Sequence, residues 1–155
     1  MNTVILGLGS NIAPGQNLPK ALQMLSGYVK IEAVSSLWKT AAVGSSGPPF
    51  LNAAVQIATA VDMNYLKVEI LSAIETSLGR VRVADKNAAR TIDLDILVFN
   101  REVIDKNIFR FDHLILPLAE LIPDLKDMES RKTLAELARE HCCKPTAVNV
   151  GALVY

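Results

Sequence analysis

Residues 90–99 read Arg-Thr-Ile-Asp-Leu-Asp-Ile-Leu-Val-Phe. Ile92, Leu94, Ile96 and Val98 alternate with Asp93 and Asp95, which is the period of a strand with one buried face. Asp is disfavoured in strand interiors, so two of them on one face ask for a reason. Spaced two residues apart, they project from the same side with Cα atoms roughly 6–7 Å apart. Carboxylates at that spacing can converge on a hard cation such as Mg²⁺, which takes oxygen ligands and commonly one or two carboxylates plus substrate phosphates. Arg90 opens the strand as a nearby cation. The pattern points to phosphoryl chemistry. The alternative is a solvated outer face on which each Asp has an Arg partner.

The rest of the chain supplies the sheet that such a strand needs. Thr3–Leu8 is a short apolar run ending in Gly9-Ser10-Asn11 and reads as a first strand. Asn17 is the expected cap of a helix over 18–26, with Leu18, Leu22 and Leu25 on one face and Gly27 past its end. Val29–Lys39 reads as a second strand, and the Gly/Ser/Pro-rich stretch 40–49 as a loop. Phe50–Ala60 reads as a third strand. A longer helix is expected over 64–78, with Leu66, Ile70, Leu71 and Ile74 at helical spacing and Gly79 as its stop. A basic loop, 80–89, leads into the strand at 90–99, with a small hairpin partner at Val103–Ile104. Short helices are expected at Pro117–Leu121 and at Arg131–His141, the latter capped by Ser130. The tail from Lys144 carries no clear pattern.

The order strand–helix–strand–strand–helix–strand matches the ferredoxin-like βαββαβ arrangement. It predicts an α+β fold: an antiparallel sheet with the two main helices on one face, plus C-terminal helices. At 155 residues a single domain over 1–155 is expected. Half the residues are hydrophobic and the formal charge is zero, so nucleic acid and anionic membranes are not expected partners. No apolar run reaches the ~20 residues that span a bilayer, and the N-terminus lacks a secretory pattern. Cys142 and Cys143 have no ligand spacing and read as buried or bystander thiols in a reducing cytosol. A cytoplasmic location follows as an expectation, with a monomer expected and a homodimer as the alternative.

Glu75, Arg80, Arg82, Lys86 and Arg90 cluster between the second helix and the acidic strand. An Arg-x-Arg near a helix end also reads as a solvated turn that complements the helix dipole. Beside two metal-binding carboxylates, the cluster suits a nucleoside triphosphate, whose developing charge Arg or Lys stabilises. Asn52 offers amide donors and an acceptor, and Phe50 shares its face two residues away. Together they form a plate and a polar hand for a flat heterocycle. The alternative places Phe50 in the core and Asn52 in a turn.

The segment Lys86-Asn87-Ala88-Ala89-Arg90-Thr91-Ile92-Asp93-Leu94-Asp95-Ile96-Leu97 resembles the signature of the 6-hydroxymethyl-7,8-dihydropterin pyrophosphokinase family of folate biosynthesis. Gly9-Ser10-Asn11, Phe50-Leu51-Asn52-Ala53-Ala54, Ile74-Glu75 with Gly79-Arg80-Val81-Arg82, and Pro117-Leu118-Ala119-Glu120-Leu121-Ile122-Pro123 resemble further family segments in the right order. The resemblance implies transfer of a pyrophosphoryl group from ATP to the pterin hydroxymethyl oxygen, leaving AMP. It implies that Asp93 and Asp95 bind two Mg²⁺ ions, and that Arg80 and Arg90 contact phosphates or assist transfer. Arg82 reaches ATP from a mobile loop, and Glu75 and Ile96 sit at the nucleotide site. Thr40 and Val43 touch the reduced pterin, Phe50 stacks on it and Asn52 reads its polar edge.

Two departures stand out. Many relatives carry Trp-Gly-Pro where this chain has Asn87-Ala88-Ala89. The family also has a longer stretch with a Pro-His where this chain has only Asp105–His113. By spacing from Pro117, His113 falls where the family's stacking aromatic lies, so it is a candidate pterin cover. A surface His, with Phe109 or Phe111 as the plate, is the alternative. Arg110 is a further candidate phosphate contact that no motif supports. The shortened segment motivates a second reading: altered acceptor specificity, or a pterin or nucleotide binder with little activity. An RNA-binding module on the same fold would want exposed aromatics and positive charge. The strand carries Asp93 and Asp95 instead.

Overall fold

The computed structural model describes residues 1–41, 47–81, 83–84, 88–142 and 147–155. Strand β1 (Asn2–Ser10) lies inside an antiparallel sheet because it is apolar on both faces, and Val4, Ile5, Leu6 and Leu8 are all buried. It pairs with β4 (Phe50–Thr59) on one side and β5 (Asp93–Phe99) on the other. Strands β2 (Lys30–Val34) and β3 (Ser36–Thr40) both pair with β4. The edges are β6 (Glu102–Val103), on β5, and β7 (Ala147–Ala152), on β3.

Helix α1 (Pro14–Ser26) buries Leu18, Ala21, Leu22 and Leu25. Helix α2 runs through an α-turn at Met63–Tyr65, a π-helical stretch at Leu66–Leu71 and an α-helical end at Ser72–Ser77. Their apolar sides share one cluster with Val4, Leu6, Leu8, Leu94 and Ile96. The other face of the sheet presents Ile5, Ala54 and Leu97 to Leu118 of α3 (Asp112–Leu121) and Leu134 of α4 (Leu134–His141). The sheet is therefore covered on both sides, and the part left open on the α3 side is where a ligand has access.

Several local expectations are corrected. The second strand is two strands, broken at buried Ser35, whose hydroxyl oxygen accepts from Ala54 N at 2.8 Å. Asn17 lies inside α1, where its amide donates to Ile12 O at 2.6 Å, and Ala13 stands at the N-cap. Thr133, not Ser130, caps α4, in a reciprocal capping box with Glu136. The unpatterned tail contains β7. The acidic strand begins at Asp93 rather than Arg90. Its alternation also breaks: Leu6 pairs with Ile96 but Ile5 with Val98, so Leu97 is the extra residue of a bulge. Val98 consequently packs with Leu97 on the α3 side, not with Ile96. Cys142 is exposed, while Cys143 lies outside the described residues.

Candidate active site

On the α3 side of β1 the sheet opens into a cavity of about 380 Å³. Its floor is bare backbone. Gly7 and Gly9 line it, and a side chain at either would crowd a neighbour. A Cβ on Gly7 would lie 2.9 Å from Leu97 Cδ1, at the bulge. One on Gly9 would lie 3.1 Å from Asn52 Oδ1. Glycine inside a strand marks such close approach.

One end of the cavity is charged. Asp93 and Asp95 both line it, as does Arg90. Arg80 Nη1 donates to Asp93 Oδ1 and to Glu75 Oε1, each at 2.6 Å. Arg90 Nη1 pairs with the other Asp93 oxygen. Glu75 is buried, and its Oε1 also accepts from Leu94 N at 2.8 Å. It thereby fastens the end of α2 to β5. The turn that delivers Arg80 depends on Gly79, at φ +82°. Arg80 N donates to Glu75 O and Gly79 N to Thr76 O, both at 3.0 Å, a helix stop that requires a left-handed residue. Burial alone lowers the pKa of Arg80, but Asp93 and Glu75 outweigh it and hold the pKa above its ordinary value.

Asp95 is less well compensated. It is surface-exposed on the cavity floor, yet the walls strip water from around its carboxyl group. That desolvation, with Asp93 and Glu75 adding repulsion, pushes its pKa up to about 6 against the partial relief from Arg80. Two oxygen donors beside such an excess of negative potential fit a hard divalent cation. No group of three or more His, Cys, Asp or Glu able to hold a metal exists among the described residues, so further ligands would come from phosphate and water.

The other end is neutral. Phe50 and Asn52 on β4 and Thr40 on β3 line it. Asn52 is buried, and its Nδ2 donates to Thr40 Oγ1 at 2.8 Å. Over this end lie Phe111 and His113, their rings stacked at 5.6 Å and 20°. Burial lowers the pKa of His113, opposed by Asp112, Asp105 and Asp93, so the ring is a neutral imidazole near pH 7. The roof is anchored twice. Glu120 accepts from Ser36 N at 2.9 Å and Trp38 Nε1 at 2.7 Å, and Asp112 pairs with His141 of α4.

The structure thus gathers Arg90, Asp93, Asp95, Thr40, Phe50, Asn52 and His113 around one cavity, with Arg80 bonded to Asp93. Glu75 and Ile96 do not line it. Glu75 acts through Arg80, and Ile96 belongs to the helix-side core. Phe109 packs in the α3-side cluster, leaving Phe111 as the plate beside His113. Arg110 is exposed and away from the lining. Val43, Arg82 and Lys86 lie outside the described residues.

Sequence reasoning missed what holds the two ends together. Asn11 is buried. Its Oδ1 accepts from Arg90 N at 2.7 Å while its Nδ2 donates to Pro48 O at 3.1 Å. Ser10 Oγ donates to Thr91 O at 2.5 Å. The end of β1 therefore ties the approach to β4 to the approach to β5. The only sequence signal is a Gly-Ser-Asn following an apolar strand. Asp105 and Asn107 also line the cavity, and nothing in their spacing announces it.

A family model described as 7,8-dihydro-6-hydroxymethylpterin-pyrophosphokinase matches residues 5–123. The chain is 35% identical over 151 residues to the 2-amino-4-hydroxy-6-hydroxymethyldihydropteridine pyrophosphokinase of Bacillus subtilis, covering 90% of this chain and 87% of that protein. It is 31% identical over 155 residues to the Aquifex aeolicus protein of the same name, covering 94% and 96% respectively. Among solved structures, Plasmodium falciparum HPPK-DHPS with SDX-DHP superposes with a TM-score of 0.72 at 15% identity. The match covers 96% of this chain and 47% of that one, so the present chain spans about half of its length. At that identity the structural likeness speaks to the fold.

Proposed function

The chain belongs to the 7,8-dihydro-6-hydroxymethylpterin-pyrophosphokinase family, and from that premise we propose how its residues divide the work. The enzyme is an ATP-dependent diphosphotransferase of folate biosynthesis. A bond forms between the hydroxymethyl oxygen of 6-hydroxymethyl-7,8-dihydropterin and the β-phosphorus of ATP. The α–β bridging P–O bond breaks, AMP leaves, and the hydroxyl proton is lost.

In our reading Asp93 and Asp95 hold Mg²⁺, two ions in all. A divalent cation held there would supply charge neutralisation for the phosphate oxygens. Arg90, at the cavity wall, and Arg80, behind Asp93, supply positive charge along the phosphates. Both ion pairs of Arg80 run through the single nitrogen Nη1, and a guanidinium has five N–H donors. Glu75 contributes by fixing Arg80, and Arg82 joins the nucleotide side. The pterin lies on the Gly7–Gly9 floor between Phe50 and the His113 ring, with Asn52 at its polar edge and Thr40 and Val43 beside it. A neutral His113 suits this role, because a charged ring would resist burial against an uncharged heterocycle.

Other finer readings accompany this one. The strand order β5-β1-β4-β3, with α1 and α2 in one cluster, supports a ferredoxin-like core, and we read residues 1–155 as one domain. Among the described residues no helix is long and apolar enough to cross a membrane. A cytoplasmic monomer, with a homodimer as the alternative, is the arrangement we favour.

The observation that carries the proposal is the single cavity with paired carboxylates at one end and an aromatic and amide pair at the other. Incubating the protein with MgATP, with and without the pterin, tests it. AMP and diphosphorylated pterin form only when both substrates are present. Tight pterin binding without AMP formation supports the binder reading instead.

A further inference from the structure

We propose that His141, at the end of α4, is a positioning residue for the aromatic cover of the cleft: through Asp112 it fixes the first turn of α3, and with it the affinity for the ring substrate. This rests on the pterin-binding reading above and deepens it. Asp112 is the first residue of α3 and stands between Phe111 and His113 in the chain. Those two rings are stacked and line the cavity, whereas neither Asp112 nor His141 lines it. The Asp112 carboxylate meets His141 Nδ1 instead. A carboxylate accepts, so Nδ1 carries the proton. Both side chains are only 18% exposed, which shields the bond better than a surface pair. The matching family model ends at residue 123, so α4 and His141 lie beyond it.

The helix ends favour this pair. Asp112 lies at the positive pole of α3 and His141 in the last turn of α4, at its negative pole. The cover has little else to hold it from outside. Phe111 stands at the N-cap of α3 without a side-chain capping bond, and its ring side is 40% exposed. Helix α4, by contrast, is a fixed support. The Thr133–Glu136 capping box sets its start, Leu134 N donates to Leu125 O at 2.9 Å, and Ala135 N donates to Pro123 O at 3.0 Å. Leu134 and Leu137 are buried beneath it. His141 passes that fixed place to Asp112, and the backbone passes it to the rings on either side. A cover held in place before the ligand arrives does not have to be ordered on binding, and such preorganisation raises affinity. His141 touches no substrate: it acts through Asp112.

The test uses the whole protein, direct titration with 6-hydroxymethyl-7,8-dihydropterin and steady-state kinetics, with urea unfolding to establish that each variant is folded. His141→Ala raises Kd and KM for the pterin about five- to tenfold, the worth of one hydrogen bond, while KM for ATP and kcat at saturation hold. His141→Asn, whose amide N–H can stand near the place of Nδ1, recovers most of the affinity. Asp112→Ala gives the same reading independently, with a loss of similar size. The double variant binds the pterin no worse than either single one, because the two residues act as a unit. A folded His141→Ala or Asp112→Ala variant with wild-type pterin Kd overturns the proposal. A change in kcat or in KM for ATP as large as the loss of pterin affinity overturns it too, since that marks general damage. So do single effects that multiply in full in the double variant. Wild-type protein that binds no pterin removes the ring-binding reading and this inference together. Wild-type binding with any of the adverse variant results removes this inference alone.

Discussion

At one end of the cleft Asp93 is gripped on both oxygens by Arg80 and Arg90; at the other, the Asn52 amide donates to Thr40 and Trp38 and faces a pair of stacked rings. The two ends differ in how they reach order. The charged end is assembled from three elements that meet through ion pairs: the stop of α2, the entry to β5 and β5 itself. The neutral end is built on adjacent strands, and its cover comes from the first turn of α3. Ion pairs hold the first end against the repulsion of its own acids. At the second end, strand register and packing do the same work. Mutations should therefore damage chemistry at one end and affinity at the other, and experiments can be ranked by how sharply they separate the two.

The largest expected effect is that of Asp95→Ala. Loss of one hard ligand lowers turnover about 100-fold or more and weakens Mg-dependent nucleotide binding, while pterin affinity measured without nucleotide stays near wild type. Equal loss at both ends would break the comparison. Glu75→Gln comes next. Its amide oxygen can still accept from Leu94 N–H, but the charge that holds Arg80 is lost, at a cost of roughly 2–3 kcal/mol, read as a lower midpoint in urea unfolding together with a fall in kcat. His113→Ala sharpens the other side: KM for the pterin rises roughly tenfold with little change for ATP, and His113→Phe restores it, since the stacking face matters and not the nitrogen.

The smallest expected effect is one of stability. The pKa of Asp95 is raised from 3.8 to about 6 in the folded metal-free protein, so between those values the folded state holds more proton than the unfolded chain. Stability therefore falls as pH rises from about 4 to about 6. Exposure of the group keeps the effect modest. Asp95→Asn removes this part of the slope, which denaturation midpoints across the range will show.

How much of this was legible depended on the range of the interactions. The helix expected over 64–78 and the placing of Asp93 and Asp95 on one strand follow from local period and composition; the structure has the helix at 63–77 and starts the strand at Asp93 rather than Arg90. The break at Ser35 did not show, because it is made by a hydrogen bond to Ala54, nineteen positions away. The bulge at Leu97 was hidden for a similar reason: alternation is interrupted by register against β1, which no window along β5 contains. Thr133 prevailed over Ser130 as a cap because only Thr133 has Glu136 at the reciprocal position. Asn11 ties Pro48 to Arg90, and such a bridge has no signature beyond three small polar or bare residues. Glu75 was recognised by resemblance, but its work as the anchor of Arg80 and Leu94 became visible only once α2 and β5 were adjacent.

The most direct test of the two-ended cleft is a crystal structure with Mg²⁺, a non-hydrolysable ATP analogue and 6-hydroxymethyl-7,8-dihydropterin. The account predicts a ring on the Gly7–Gly9 floor between Phe50 and His113, its polar edge at Asn52, and Mg²⁺ on Asp93 and Asp95 between the two substrates. A pterin bound away from Phe50 and Asn52, or metal held without either aspartate, would contradict it.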